Sequence, residues 1–424
     1  MNRREFIGGA VSAAAYFAMQ RAQAWCRWEM SHTKSNLPAG VDPNPQVSFM
    51  LPLDDKRRRQ NQFIPKTPVD ANRFTFGSDG TFTFFHLSDL HEERAKMGER
   101  ERVFFAKMCE KFQPSLAIVT GDNSDHRCKG MFEESAGAVT SLFTEAKVPF
   151  AITFGNHDTE VIGEGWYTAA EEWEFYRRAG GRYFVDRHDP SVVGGGTSRI
   201  HVLDGKGKPG FDLCVLDSGD YGPQTEAVLT STKKPSDLWP SACDSVRAPQ
   251  VAWARKALAE GVPSLFFQHI IVPESRERMG HGLFTVAAEG EKPSAALAYL
   301  GPKPVKANPA RAKGYIAEGI GSVPVDVSRN AVYLDGGQSI YEVWKDAPAF
   351  RGAYFGHDHM NTFDGVTEDG VRLGMTKTMS KCAYNDDDLG LRVFKVRSDG
   401  TYFTDLFTEK HPDGCGFVMK KLSS

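Results

Sequence analysis

The sequence predicts an α/β fold with substantially parallel strands, and two observations support that prediction. Short, continuous apolar runs alternate with longer stretches of helical periodicity along most of the chain. Continuous apolar runs are typical of strands buried on both faces, and alternation of such strands with helices is typical of parallel sheets. In addition, polar residues of the metal-binding types follow several of the apolar runs directly.

The alternation runs from about residue 81 to residue 357. The apolar runs predict six strands, which are FTFFHLSD, SLAIVTGD, PFAITFGN, FDLCVLDS, SLFFQH and FRGAYFGH. Amphipathic periodicity predicts four helices, which are ERERVFFAKMCEKF, EESAGAVTSLFTEAK, APQVAWARKALAEG and GQSIYEVWKDA.

Turn signals predict two hairpins outside this alternation. One signal is Gly77-Ser78-Asp79-Gly80, and the other is Ser398-Asp399-Gly400 near the C-terminus. Residues 186–210 and 275–330 are rich in Gly and Pro and lack clear periodicity. They are interpreted as long surface insertions, and GGGTSR at 194–199 as a flexible part of the first.

The N-terminus has the pattern of an export signal. Arg3 and Arg4 precede a mildly apolar, Gly/Ala-rich run to Met19, and Ala22-Gln23-Ala24 follows as a cleavage pattern. The run is too short and too weakly apolar for a stable membrane span, although an uncleaved anchor is an alternative. We therefore expect a twin-arginine signal peptide at 1–24 and a periplasmic protein, with an extended arm at 25–72 and one domain at 73–424.

Composition narrows the function classes. The formal net charge is −3, which gives no basic footprint for nucleic-acid recognition. No other apolar run reaches membrane-spanning length, and the seven cysteines contain no CxxC pair of the kind that binds structural zinc. The sequence does not indicate an oligomeric state.

Five of the predicted strands end in polar clusters. In chain order the clusters are Asp89 with His91, Asp122 with Asp125, Asn156 with His157, His269, and His357 with His359. A single such cluster is common as a helix cap or a core residue. Because ligands gather at the carboxyl ends of strands in open α/β sheets, five clusters together predict one shared site. Glycines at 121, 155 and 356 immediately precede three of them and permit tight turns without a side chain in the way.

The order DxH, GDxxD, GNHD, a lone His and GHxH resembles the calcineurin-like metallophosphoesterase superfamily over residues 73 to about 407. The segments SDLH, GDN, GNHD, GHDHMN and LGLRVF are most similar to the branch related to purple acid phosphatases. This resemblance implies two stacked mixed β-sheets flanked by helices, a four-layer αββα sandwich, with a dinuclear metal centre held by loops.

The resemblance also implies the ligands. Asp89, His91 and His359 would hold one metal ion. Asn156, His269 and His357 would hold the other, and Asp122 would bridge the two. Oxygen and imidazole ligands without a thiolate suit two divalent or transition metal ions, which can be Mn, Fe, Zn, Co or Ni.

The implied activity is hydrolysis of a small phosphorylated substrate by attack of a metal-bound hydroxide. His157 would protonate the leaving oxygen, and Asp125 would orient His157. Asp125 stands where purple acid phosphatases carry the tyrosine that binds ferric iron, which argues against a purple centre. A phosphomonoester is favoured. The alternatives are a phosphodiesterase acting on a nucleotide or lipid-headgroup diester and a catalytically silent module that binds a phosphorylated ligand.

The export signal can be tested directly. Changing Arg3→Lys together with Arg4→Lys should trap the precursor in the cytoplasm, because the twin-arginine pathway requires the paired guanidinium groups. Cell fractionation measures the outcome, and Arg21→Lys, which lies outside the pair, should be exported normally. Normal export of the double variant would assign the leader to the general secretory class.

Overall fold

The computed structural model describes residues 72–124, 129–158, 167–192, 194–219, 246–272, 274, 304–306, 313–317, 339–357, 359, 362–367, 370–380 and 388–415. The predicted signal peptide, most of the predicted arm and Asp125 lie outside the described residues.

Fourteen strands of the described residues form two sheets. Their bounds are β1 Phe74–Thr75, β2 Thr81–Leu87, β3 Leu116–Thr120, β4 Phe150–Thr153, β5 Ser198–Leu203, β6 Pro209–Leu216, β7 Ser264–Gln268, β8 Pro304–Lys306, β9 Lys313–Ala317, β10 Phe350–Phe355, β11 Thr362–Val366, β12 Arg372–Met375, β13 Gly390–Arg397 and β14 Tyr402–Thr408. The larger sheet has the order β1-β5-β6-β7-β10-β12-β11-β9-β8, and the smaller has the order β14-β13-β2-β3-β4.

Both sheets are mixed, but the strands that lead to the polar clusters are parallel. In the smaller sheet β2, β3 and β4 run parallel, and β13 and β14 are antiparallel additions. In the larger sheet β6, β7, β10 and β12 run parallel. The predicted strands are therefore confirmed, and their carboxyl ends meet at common edges.

Five α-helices cover the outer faces of the sheets in the described part of the chain. They are α1 Glu99–Phe112, α2 Lys129–Ala146, α3 Ala169–Gly180, α4 Ala248–Ala259 and α5 Ile340–Asp346. One apolar core joins α1, α2 and α3 to the smaller sheet, and another joins α4 and α5 to the larger. None of these helices is long and apolar enough to cross a bilayer.

A third apolar core lies between the two sheets. Phe84 of β2 stacks on Phe394 of β13 with ring centroids 4.8 Å apart, and its edge meets Phe267 of β7 in the larger sheet at 5.7 Å. Helices, sheet, sheet and helices thus form four layers. The predicted stack of two mixed sheets flanked by helices is confirmed.

One of the two predicted hairpins is wrong. The turn at Gly77–Gly80 forms, with the Gly77 N–H donating to the Thr81 carbonyl at 2.8 Å. However, β1 pairs in parallel with β5 of the larger sheet, whereas β2 belongs to the smaller one. The turn therefore moves the chain between sheets, which a local signal does not distinguish from a hairpin. The hairpin at Ser398–Gly400 is confirmed, because β13 and β14 pair antiparallel around it.

The interpretation of 186–210 as a surface insertion is wrong for its second half. Strand β5 lies inside the larger sheet with Ile200 and Val202 fully buried. The preceding glycines are also buried, and a Cβ on Gly195 would lie 2.1 Å from the ring of Phe154. They are glycines because the backbone packs closely against the end of β4, not because the segment is flexible. Of residues 275–330, the described parts include β8 and β9, which form one edge of the larger sheet.

A buried ionic network also connects the sheets. The Asp364 carboxylate accepts two hydrogen bonds from Arg372, at 2.9 and 3.1 Å, and one from Nη1 of Arg392 at 2.9 Å. Asp364 and Arg372 belong to the larger sheet, whereas Arg392 is a fully buried residue of β13 in the smaller one. The Arg372 guanidinium also lies 4.4 Å from the ring centroid of Tyr402 in β14. Two guanidinium groups, one from each sheet, thus share one carboxylate.

Removal of that carboxylate should strongly destabilise the fold. Asp364→Ala deprives both guanidinium groups of the anion that compensates their burial, so we expect a loss of about 3–5 kcal/mol in the free energy of unfolding. Glu145→Ala is the control, because Glu145 pairs with Arg102 at 3.9 Å with 62% of its side chain exposed. Its cost should be at most about 1 kcal/mol. Equal losses for the two variants in denaturant titrations would contradict the role assigned to Asp364.

Candidate metal centre

The predicted site residues lie on loops at the carboxyl ends of five strands. The residues after β2 are Asp89 and His91, after β3 Asp122, after β4 Asn156 and His157, after β7 His269, and after β10 His357 and His359. The loops are joined through their backbones. The Asp89 N–H donates to the Gly121 carbonyl, and the Gly356 N–H donates to the His269 carbonyl, each at 3.1 Å.

Four of these side chains form one group. His359 Nε2 lies 3.0 Å from Asp89 Oδ1 and 3.0 Å from His91 Nε2. His91 Nε2 in turn lies 3.2 Å from Asp122 Oδ2. All four residues are buried, and their donor atoms converge within 4.8 Å of one another.

A second group shares Asp122. His269 Nε2 lies 3.2 Å from the same oxygen, Asp122 Oδ2, and 3.1 Å from Asn156 Oδ1. The ring of His357 lies beside that of His269, with centroids 5.0 Å apart, and donor atoms of both converge with Asp122. The structure therefore brings all seven predicted ligands together, in two sets that meet at one carboxylate.

The arrangement fits metal ions. Asp122 is 1% exposed, and its Oδ2 faces the Nε2 atoms of His91 and His269 at 3.2 Å without a well-aligned hydrogen bond. That position is costly for a buried carboxylate oxygen unless a cation faces it. Donor atoms 3.0–3.2 Å apart are spaced as two ligands at right angles with bonds of ~2.1 Å to one ion. Nitrogen and oxygen donors without sulfur suit Mn, Fe, Co, Ni or Zn.

The charge states of four of the donors also suit a cation. Burial, with His269 nearby, lowers the pKa of His357 to about 3, and burial lowers the pKa of His359 as well. Burial acts to raise the pKa of Asp89, but His359 and His269 outweigh it and bring the pKa to about 2. The pKa of Asp122 is also well below its usual value, because three histidines outweigh the effect of burial. His269 differs, because burial acts to lower its pKa but Asp122 and Asp89 outweigh it and raise the pKa. Neutral imidazoles and ionised carboxylates are the forms that bind metals, so a metal ion would displace a proton at His269.

Main-chain groups orient the donors. His269 Nδ1 donates to the Thr120 carbonyl at 2.7 Å, which directs Nε2 into the cluster. Both oxygens of Asp89 accept the N–H of His357, at 3.1 and 3.0 Å. Asp122 Oδ1 accepts the N–H of His157 at 2.9 Å, which leaves Oδ2 facing the histidines.

The ligand loops carry most of the unusual backbone of the described residues. In the described part of the chain six non-glycine residues have positive φ. Four of the six lie on these loops, namely Asp89 at 56°, His91 at 41°, Asp122 at 51° and His357 at 71°. This conformation costs energy for residues with a Cβ and persists where the surroundings enforce it. No sequence signal predicted the positive φ angles, because Asp and His also occur commonly in turns with ordinary backbone angles.

Close approach explains the glycines that precede the ligands. A Cβ on Gly155 would lie 2.3 Å from Asp122 Oδ1, and a Cβ on Gly356 would lie 1.7 Å from the hydroxyl oxygen of Ser88. A Cβ on Gly121 would lie 2.4 Å from the Gly155 nitrogen. The prediction that no side chain fits at these turns is confirmed.

The remaining candidates occupy different places. His157 is half-buried, as is the proposed ligand His357, and its ring centroid lies 5.1 Å from that of His91. Asp158 braces the loops, because its carboxylate accepts the N–H groups of Asn123 at 2.9 Å and Gly155 at 2.7 Å. Asp125 lies outside the described residues, so its orienting role stays a prediction.

Comparison with known proteins agrees with the motif order. Residues 82–261 match the model of the calcineurin-like phosphoesterase family, so the predicted resemblance to the calcineurin-like superfamily is confirmed. No curated protein matches the chain. A crystal structure of a novel phosphatase from Mycoplasma pneumoniae is 11% identical over 77% of this chain and 93% of that one, with a TM-score of 0.30. A second solved structure is 8% identical over 77% of this chain and 98% of that one, with a TM-score of 0.38.

Gly356→Ala should damage the cluster. The new methyl group would overlap Ser88 and lie 2.8 Å from Asp89 Oδ2, so we expect weaker metal binding and a loss of about 1–3 kcal/mol in unfolding free energy. Gly137→Ala in α2 is the control, because a Cβ there meets nothing within 4 Å. It should gain up to ~1 kcal/mol through helix propensity. Calorimetric titration with Mn²⁺ and denaturant unfolding measure both effects, and unchanged metal binding by Gly356→Ala would refute the close-approach argument.

Proposed function

We propose that this chain, whose residues 82–261 match the calcineurin-like phosphoesterase family, is a metal-dependent phosphoric ester hydrolase with two metal ions. The observation that carries the proposal is the buried Asp122 carboxylate, whose Oδ2 lies 3.2 Å from a histidine of each donor group. One carboxylate between two donor sets is the arrangement that two neighbouring cations require. A catalytically silent relative would be expected to have lost a donor, and here all seven stand in place.

In this proposal Asp89, His91 and His359 hold one ion. Asn156, His269 and His357 hold the other, and Asp122 bridges both. When bound, such an ion pair activates water as the nucleophile and stabilises the charge of the phosphoryl group. The ionised carboxylates of Asp89 and Asp122 offset part of the charge of the two cations.

His157 is the proposed proton donor to the leaving oxygen. It follows the donor Asn156 in sequence, and its backbone N–H holds Asp122 at 2.9 Å, so its position is tied to the bridging carboxylate. Its side chain is only half-buried, and its ring lies beside that of the donor His91, with centroids 5.1 Å apart. General acid catalysis contributes typically 10²–10⁴-fold, and the proposed role of Asp125 is to orient this imidazole.

The proposed substrate is a phosphomonoester and the proposed location is the periplasm. The first rests on the resemblance to the branch related to purple acid phosphatases, and fold does not determine substrate. The second rests on Arg3 and Arg4 in the leader. Hydrolysis of a chromogenic phosphomonoester measured beside its bis-ester separates a phosphomonoesterase from a phosphodiesterase.

Two variants separate a metal ligand from the acid. Asp122→Asn should lose both metal ions and all activity, because the bridging charge is gone. His157→Ala should keep about two ions per chain, yet lose roughly 10²–10⁴ in kcat on a poor leaving group. Its loss should be smaller on nitrophenolate, which needs little protonation. Elemental analysis and kinetics with the two leaving groups give the readouts.

Three results would contradict these assignments. Wild-type protein reconstituted with Mn or Zn that binds one ion or none would refute the dinuclear centre. Loss of metal from His157→Ala would make His157 a ligand. Equal losses on both leaving groups would make it a phosphate-binding residue rather than an acid.

A further inference from the structure

The segment after β12, residues 376–380, reads TKTMS and is buried throughout, although four of its five residues are polar. It lies against the loop that carries Asp89. The Thr376 N–H donates to the Phe355 carbonyl at 2.9 Å, and the Met379 N–H donates to the Ser88 carbonyl at 3.3 Å. The Gly390 N–H donates to the Thr378 carbonyl at 3.0 Å and attaches the segment to β13. The segment is thus held by the ends of three strands.

Thr378 contacts a proposed metal ligand through that ligand's backbone. Its hydroxyl lies 2.7 Å from the Asp89 carbonyl and 3.3 Å from the Ser380 carbonyl, so its single proton goes to Asp89. The Ser380 N–H donates to the Thr378 hydroxyl oxygen at 3.1 Å. This bond occupies one lone pair of that oxygen and directs the hydroxyl proton towards Asp89. Thr378 is fully buried, so water does not replace it as the donor.

Asp89 needs such a constraint. Its φ of 56° is unfavourable for a residue with a Cβ, and the torsions of its backbone decide where its carboxylate points. The Gly121 carbonyl holds its N–H and the His357 N–H holds its carboxylate. The Thr378 hydroxyl holds its carbonyl, the third polar group of the residue. In the described residues Thr378 is the hydrogen-bond donor to that carbonyl, so its loss would leave the carbonyl end of the strained residue unconstrained.

We propose that Thr378 is a positioning residue that fixes Asp89 in its strained conformation and thereby sets the affinity of the metal site formed by Asp89, His91 and His359. This inference rests on the metal centre proposed above and adds a residue that touches neither metal nor substrate. It predicts a larger effect on the site that contains Asp89, because Thr378 contacts Asp89 directly and is linked to the second donor set only through the hydrogen bond from the His357 N–H to Asp89.

The test is Thr378→Val, which preserves shape and removes the hydroxyl. Metal affinity of the site containing Asp89 should fall by about 10–100-fold, the usual cost of losing an outer contact to a metal ligand. Affinity at the second site should fall much less, because its donor set is affected only through the His357 N–H that Asp89 accepts. Two-site calorimetric titration with Co²⁺, together with the visible absorption of bound Co²⁺, resolves the steps, and Asp89→Asn identifies which step belongs to Asp89.

Two matched variants separate positioning from general packing. Thr378→Ser keeps the hydroxyl and should restore the wild-type affinity. Thr376→Val makes the same substitution two residues away at a fully buried threonine whose hydroxyl faces the His86 carbonyl at 3.5 Å, and it should leave both binding steps unchanged. If Thr378→Val does not fold, as judged by circular dichroism, Thr378→Ala gives the same comparison.

The outcomes distinguish this inference from the proposed function. Wild-type protein that binds two ions, with both steps unchanged in Thr378→Val, overturns the role of Thr378 alone. Equal weakening of both sites, or equal weakening by Thr376→Val, also overturns it in favour of a packing effect. Wild-type protein that binds no metal overturns the metal centre and this inference with it.

Discussion

The Asp122 carboxylate is the contact on which the rest of the site depends. Its Oδ2 lies 3.2 Å from His91, which follows a strand of the smaller sheet, and 3.2 Å from His269, which follows a strand of the larger one. A buried anion in this position is unfavourable unless cations approach it from both sides. The fold meets that condition by stacking two sheets so that their parallel strands end at one place. The four-layer architecture therefore does more than bury apolar surface, because it brings the two donor sets to one oxygen.

The geometry at Asp122 requires that the two sheets keep their relative position. The aromatic core around Phe84, Phe267 and Phe394 fills the space between them, but apolar contacts alone tolerate small shifts. The Asp364 carboxylate, shared by Arg372 and Arg392, adds directional contacts between the sheets, since hydrogen bonds to guanidinium groups depend on angle as well as distance. Apolar packing thus supplies most of the stability, and the buried ions supply the alignment.

Much of the fold and the candidate site was predictable from the sequence because their signals are local. Apolar runs marked the strands, and polar residues directly after them marked the cluster. The failures concern contacts between distant segments. Helix α3 was not predicted, although Thr168 and Glu171 form a capping box at its start. Strand β5 follows glycines that indicated flexibility, whereas their real cause is the approach of Phe154, distant in sequence. Thr378 gave no signal at all, because its role depends on a backbone carbonyl 289 residues away.

The positive φ angles explain why such distant contacts matter. Four of the proposed ligands occupy a conformation that an isolated chain would seldom adopt, so the free energy of folding must include the cost of placing them there. Hydrogen bonds from other loops hold these residues. Asp89 is held by Gly121, His357 and Thr378. The His91 N–H donates to the Asp122 carbonyl at 2.8 Å. Because the loops hold one another, the donor atoms are already close to their binding positions before a cation arrives. The entropy of ordering the ligands is then a cost of folding rather than of metal binding, which leaves more of the binding free energy to appear as affinity.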